Sequence, residues 1–272
     1  MSVPSRQRLP RTDEPPLPAV QPGGEIELSI IVPLWHDWPV LGRMLHGLRP
    51  LPRDIEIIAA AVGPVSVDAL SREFDRVVRV PCREANRGAQ MNAGAAAARG
   101  RILLFHHADS FLTHEHLDAL RAAMNRKHFV GGAFHREFDE RHPGMKRLEP
   151  IERWRCVHGR ALFGDQSIFV RRDVFQALSG YAAIPLMEDF EFSRRLRKAG
   201  RLDILDPPMR THARHHFARG PWRTTMRNLL FIVMYQCGAS PWWLHRRYYR
   251  PHSKSTPEPG PLDQPRTEKR IS

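Results

Sequence analysis

Three groups of residues in this chain have the types and spacing to do acid–base, anion or metal chemistry. The first is Asp109 in "LLFHHADS", directly after an apolar run and close behind His106 and His107. A carboxylate there can hold a divalent ion against a diphosphate, because Mg²⁺ and Mn²⁺ take oxygen ligands and combine few protein carboxylates with substrate phosphates. A turn or helix-capping aspartate is the plainer alternative. Of the two histidines, one is expected to face the core and one the site. The second group is Glu188 and Asp189, which follow "PLM" and open a helix. Adjacent carboxylates complement a helix dipole, and one of them can serve as a base that takes a proton from an acceptor hydroxyl. The third is Arg87 with Asn86, Gln90 and Asn92, at the start of another helix whose free N–H groups suit an anion. Gly164, Asp165 and Gln166 form a loop that can orient an acceptor or a phosphate, or simply hydrogen-bond within itself.

The elements that position these groups follow from hydrophobic period. Leu28–Leu34 is a short β-branched run read as a buried strand, and Ile55–Ala61, Val77–Val80 and 101–107 read likewise. Between them, 38–48 has helical spacing, and Asn86–Arg99 is an alanine-rich helix that Gly100 is expected to end at C′. Thr113 caps the next helix. Strands alternating with helices imply βαβ units and a mostly parallel sheet flanked by helices, a Rossmann-like α/β fold in one domain. Ligands in such sheets sit at the strands' carboxyl ends. That places His36, Asp37, Gly63 and His107 to Ser110 at the site. Further on, 129–138 reads as a strand, 164–181 as a loop, short strand and helix, and 185–200 as a helix with an acidic first turn and a basic last one.

Residues 1–27 and 251–272 hold six and five prolines and few large apolar groups. They are expected to be disordered tails around a domain at 28–250. There is no apolar h-region at the start and no run of roughly 20 apolar residues. Three cysteines without CxxC spacing favour reduced thiols, hence a cytoplasmic protein. The net charge of +13 admits four readings: nucleic acid, an anionic membrane face, a phosphate-bearing substrate or a plain basic surface. No nucleic-acid-binding motif accompanies it, so no nucleic-acid partner is expected.

Five segments in order, "LSIIVPLWHD", "NRGAQMNAGAAAARGRILLFHHADS", "GDQSIFVRRDVF", "PLMEDFEFSRRL" and "TTMRNLLFIVMYQCGASPWWLHRRY", resemble the family 2 glycosyltransferases. They are most similar to the small bacterial branch labelled arsenosugar-biosynthesis glycosyltransferase-like. The resemblance covers about 28–248. It implies a GT-A fold and transfer of a sugar, with inversion, from a nucleotide-diphosphate donor to a small-molecule or lipid hydroxyl acceptor. It also implies a Mn²⁺ or Mg²⁺ cofactor. Carried over, Asp109 is the metal-proximal aspartate of a DxD-like triplet and Asp189 the base, with Glu188 beside it. Pro33, His36, Asp37, Arg87, Asn92 and Asp109 then fall on the donor side, and Gly164, Asp165 and Gln166 on the acceptor loop.

The chain departs from the family pattern at two places. His107 occupies the first position of the triplet, and Ala61 stands where the family's base-recognising aspartate belongs. The second departure opens another reading, a non-catalytic relative that has lost donor recognition; a basic nucleic-acid binder is a third. Where the branch usually reads "TSARR", this chain has "THARHH" at 211–216, which offers His212 as a second metal ligand and Arg214 or His215 to the diphosphate. The basic, partly apolar C-terminal segment either docks on the domain or lies peripherally on an anionic inner-membrane face.

Overall fold

The computed structural model describes residues 26–35, 38–63, 76–138, 162–211 and 221–249. The element order is β1 (Leu28–Trp35), α1 (Trp38–Gly47), β2 (Ile55–Val62), β3 (Val77–Cys82), α2 (Arg87–Ala97), β4 (Ile102–Phe105), β5 (Ser110–Phe111), α3 (His114–Met124) and β6 (Gly131–Phe138). A 3₁₀ turn at Gly164–Gln166 precedes β7 (Ile168–Arg171), α4 (Arg172–Ala177), α5 (Glu188–Ala199), β8 (Asp203–Thr211), α6 (Pro221–Gln236) and α7 (Pro241–Tyr248).

These strands make one eight-stranded sheet in the order β3-β2-β1-β4-β7-β6-β8-β5. Strands β3, β2, β1 and β4 run parallel to one another, and β6 is parallel to β8. Strand β7 runs against β4 and β6, and β5 runs against β8. The sheet is mostly parallel and flanked by helices, as the alternation of elements predicts.

Both faces are covered, which explains why the first strands read as continuous apolar runs. Ile30, Val32 and Leu34 point into one core with Leu41, Leu45, Leu117 and Phe134, while Ile31 points into the other with Ile58, Met91 and Phe105. Each such side chain contributes roughly 1.5–3 kcal/mol on burial. The helix α2 lies unusually close to the sheet: a Cβ on Gly94 would sit 2.5 Å from Ile31 Cγ2 and 3.6 Å from Ala60 Cβ. The small residues of "NAGAAAA" are therefore a contact surface.

Beneath that helix a buried carboxylate ties three segments together. Glu56 Oε1 accepts from Ser29 Oγ and from the Arg99 N–H, both at 2.6 Å, and its Oε2 accepts from Arg99 Nε at 2.8 Å. The Gly100 N–H donates to Ser29 Oγ at 2.8 Å. This corrects the expected role of Gly100. The helix is capped at Ala98 in extended backbone, and Gly100 is required by proximity, since a Cβ there would lie 2.5 Å from the Ser29 nitrogen.

At the C-terminal end, Phe231 of α6 and Leu244 of α7 are buried, and the Phe231 ring meets Tyr248 of α7 edge-on at 5.3 Å. Tyr235 meets the Phe190 ring edge-on at 5.7 Å. Among the described residues no helix is long and apolar enough to cross a membrane.

Candidate active site

The carboxyl end of β1, the turn after β4 and the N-termini of α2 and α5 converge on a cleft of about 690 Å³. Its β1 wall is Pro33, Leu34 and Trp35. Gln90 forms part of the floor; its Nε2 donates to Leu34 O at 3.0 Å and to Ala60 O at 2.8 Å, bridging β1 and β2.

Arg87 enters the cleft because Asn86 caps α2. The Asn86 Oδ1 accepts the Ala89 N–H at 2.9 Å, which leaves Arg87 at the first helical position. Its guanidinium is half-exposed and lies 3.5 Å from Oε1 of the buried Glu188. Burial opposes its charge, but Glu188, Asp189 and Asp109 outweigh that and hold it above its ordinary pKa.

The turn after β4 divides the histidine pair as expected. His106 is fully buried; its Nε2 lies 3.2 Å from Ser110 O and its Nδ1 2.7 Å from Ser167 Oγ. A carbonyl only accepts, so Nε2 carries the proton and Nδ1 accepts from the serine. Burial brings its pKa down to about 4, so it is neutral and structural. His107 lines the cleft with Ala108 and Asp109. Burial and then Arg87 hold His107 well below its usual range, so it too is a neutral imidazole.

Asp189, next to Glu188 on α5, accepts the Gly164 N–H at Oδ2 and the Phe190 N–H at Oδ1, both at 2.7 Å. Burial, then the neighbouring Glu188, push its pKa up to about 7 against those two hydrogen bonds and Arg87. A Cβ on Gly164 would lie 2.6 Å from His107 Nε2 and 3.6 Å from Asp189 Oδ2. The glycine is what lets the turn, the histidine and the carboxylate share this space. Two non-glycine residues in the left-handed region border it, Ser167 (φ 53°) and Met187 (φ 70°). Such backbone costs of order 1–3 kcal/mol and collects at functional sites.

Of the residues singled out in the sequence, Pro33, Arg87, Asp109 and Glu188 line this cleft together, with Asp189 and Gly164 hydrogen-bonded to each other. Others are placed differently. Asn92 does not line the cleft: its Nδ2 donates to Tyr181 O and its Oδ1 accepts from Tyr181 N, fastening α2 to the segment after α4. Gln166 is fully buried, accepting from Phe163 N and donating to Phe134 O, so it braces the turn and cannot reach a ligand. Asp165 pairs with Arg136 at 3.0 Å. Ala61 is buried inside β2 between Leu34 and Pro81. His36, Asp37 and His212, together with Arg214, His215 and the two proline-rich tails, lie outside the described residues, except that Ile26 and Glu27 are described and the Glu27 N–H already donates to Asp54 O. Among the described residues no three His, Cys, Asp or Glu side chains converge as a cation site.

A family model described as Glycosyl transferase family 2 matches residues 29–179. The chain belongs to glycosyl transferase family 2. Its fold is the GT-A fold of solved glycosyltransferases. S. aureus TarS 1–349 superposes with a TM-score of 0.56 at 14% identity, over 70% of this chain and 62% of that one. The same protein in complex with UDP-GlcNAc gives 0.53 at 13%, over 68% and 58%. Mannosyltransferase PcManGT from Pyrobaculum calidifontis, in complex with GDP-Man and Mn²⁺, gives 0.56 at 17%, over 87% and 73%. This family 2 chain thus spans under two thirds of the length of the TarS structures. Among curated proteins none matches it significantly.

Among the cleft residues that escaped the sequence reading are Trp35, Arg43, His245 and Tyr249. A tryptophan at the carboxyl end of an apolar strand was a usable signal for the first. His245 comes from α7 and Tyr249 caps its C-terminal end, far along the chain, and nothing local marks them. A second depression, of about 580 Å³, is lined by Arg126, Arg197, Arg201 and Asp203. It holds none of the candidate residues, and Arg126 is paired with Asp203.

Proposed function

We propose that this family 2 chain is an inverting glycosyltransferase that takes its sugar from a nucleotide-diphosphate donor. The observation that carries the reading is the meeting of Asp109, Arg87 and Glu188 in one cleft at the strand carboxyl ends, with the raised carboxyl of Asp189 beside it. The diphosphate belongs against Arg87 and the N-terminus of α2, where a guanidinium and free N–H groups favour an anion.

Asp109 fits a hard cation: it is an exposed carboxylate beside that anion site, and Mg²⁺ or Mn²⁺ needs only one or two protein carboxylates when phosphates supply the rest. His212 is the candidate for a second ligand. When bound, the ion offsets the charge that builds on the departing diphosphate. Asp189 takes the proton of the acceptor hydroxyl, whose oxygen bonds to the anomeric carbon as the bond to the diphosphate breaks on the opposite face. A carboxyl near neutrality is matched to that task. Glu188 is engaged by Arg87, so it holds the diphosphate clamp while Asp189 handles the proton.

With Ala61 closed off in the sheet, recognition of the nucleobase passes to Trp35, whose exposed ring lines the cleft mouth with Arg43. Aromatic stacking accepts any base. On this reading, loss of the aspartate does not by itself mean loss of the donor, as the non-catalytic reading has it. Placement in the arsenosugar-like branch rests on the five sequence segments alone, and no residue of the cleft reads as an arsenic site.

Calorimetry with UDP, GDP and dTDP, with and without Mn²⁺, tests the proposal on the wild type and on Asp109→Ala. Metal-dependent binding of one nucleotide, lost in the variant, is expected. Absence of binding under every condition would hand the chain to the non-catalytic reading.

A further inference from the structure

We infer that α6 and α7 form a docking surface for an anionic lipid bilayer, which sets the mouth of the cleft at the membrane. Met226, Leu229, Leu230 and Val233 recur at three- and four-residue spacing, so they share one face of α6. That face points to solvent: the four side chains are 60, 50, 55 and 45% exposed. The opposite face carries Phe231, buried against Tyr248 of α7, and Tyr235, whose ring meets Phe190 of the domain. A helix docked on a domain ordinarily turns its polar side outward, and here the outward side is the more apolar.

The neighbouring α7 extends the surface with Trp242 and Trp243, 59 and 44% exposed. Tryptophan is the side chain most at home at the level of lipid headgroups. The charge carried by the segment of α6 and α7 itself has one sign. From Pro221 to Tyr249 the sequence has no aspartate or glutamate and four arginines, of which Arg246 and Arg247 are exposed on α7. An apolar stripe with tryptophans, on a segment whose own charges are all basic, complements anionic headgroups over an acyl layer. A contact between two copies would have to bring these like charges together.

The surface is continuous with the site, because α7 supplies His245 and its C-cap residue is Tyr249, both of which line the cleft. A bilayer seated on α6 and α7 therefore presents its own headgroup layer to the cleft mouth. On the transferase reading above, the acceptor hydroxyl is then carried by a lipid.

The test is co-sedimentation of the full chain with phosphatidylcholine vesicles, with and without phosphatidylglycerol. Two doubly substituted variants, Leu230→Glu with Trp242→Ala and Arg246→Glu with Arg247→Glu, alter only exposed positions. The wild type is expected to sediment with the phosphatidylglycerol vesicles and to be released by salt, and each variant to bind about tenfold or more weakly. Wild type that stays in the supernatant, or variants that bind as well as it does, would overturn the proposal. So would a concentration-dependent dimer that the first variant dissolves, which would assign the stripe to a second copy. Nucleotide calorimetry on the same preparations reads the transferase proposal separately: vesicle binding without nucleotide binding sinks that reading and leaves the lipid surface standing.

Discussion

The Gly164 N–H donates to Oδ2 of Asp189 over 2.7 Å, so the turn ahead of β7 holds the carboxyl group of the second residue of α5. Two backbone donors favour the ionised form of that group, while burial and Glu188 favour the protonated one and prevail, bringing the pKa to about 7. A base must be deprotonated to work. Accordingly kcat/KM should fall as pH drops through about 7, about tenfold per unit below it. Asp189→Asn should lower kcat by at least about a hundredfold and leave nucleotide affinity unchanged. A wild-type acid limb near 4 would show that another group takes the proton.

The same shift has a consequence for stability, with a definite sign. The folded pKa of Asp189 lies above its value of about 3.9 in an unfolded chain. Its contribution is therefore fully present below about pH 4 and is lost as pH rises through about 7. Urea unfolding of wild type and Asp189→Asn across this window should show the wild type losing ground relative to the variant as pH rises. Parallel curves would mean that the carboxyl group is ordinary.

Arg87 holds Glu188 at 3.5 Å and is half-exposed to the cleft. Charge-assisted hydrogen bonds contribute about 1.5–3 kcal/mol, so Arg87→Gln should weaken UDP or GDP binding about tenfold to a hundredfold. Lysine should restore only part of this, because it keeps the charge without the planar fork. Calorimetry on the three forms decides it, and unchanged affinity in Arg87→Gln would remove Arg87 from the diphosphate site.

Trp35 is 58% exposed at the end of β1. If its ring stacks on the nucleobase, Trp35→Ala should cost about 1–3 kcal/mol of nucleotide affinity, and Trp35→Phe much less. Pyrophosphate, which has no base, should bind wild type and Trp35→Ala equally. An equal loss for pyrophosphate would mean that the substitution disturbs the cleft as a whole.

The parallel half of the fold was legible because its physics is local. The runs at 28–34, 55–61 and 101–107 are short and mostly apolar, as strands covered on both faces are, and Asn86 and Thr113 mark helix starts by their side chains. Strand β8 was not legible: Pro207 and Pro208 lie inside it, and its pairing with β6 shifts register between Phe134 and Arg136. In the site, Asp109, Glu188 and Arg87 could be found because each stands at the boundary of an element. The bracing role of Gln166 could not, because a loop glutamine reads the same whether it faces solvent or the buried Phe134 carbonyl. Asn92 failed for a related reason, its partner Tyr181 being 89 residues away.

Glu56 offers a test of what holds the site's scaffold in place. It is 1% exposed, whereas its cation partner Arg99 is mostly exposed, so the ion pair itself is screened and worth at most about 1 kcal/mol. The buried hydrogen bonds from Ser29 Oγ and the Arg99 N–H should dominate. Burial raises the pKa of Glu56, but those hydrogen bonds and Arg99 outweigh it and leave the group below its ordinary value. Its stabilisation is therefore full above about pH 4.3, the unfolded value, and is lost as pH falls through the lower folded one. Glu56→Gln should destabilise the protein by about 1–3 kcal/mol at pH 7, and Arg99→Ala by less. The gap between wild type and Glu56→Gln, measured by urea unfolding, should narrow as the pH is taken below 4. A gap that stays constant with pH would show that shape, and not the buried charge, is what Glu56 supplies.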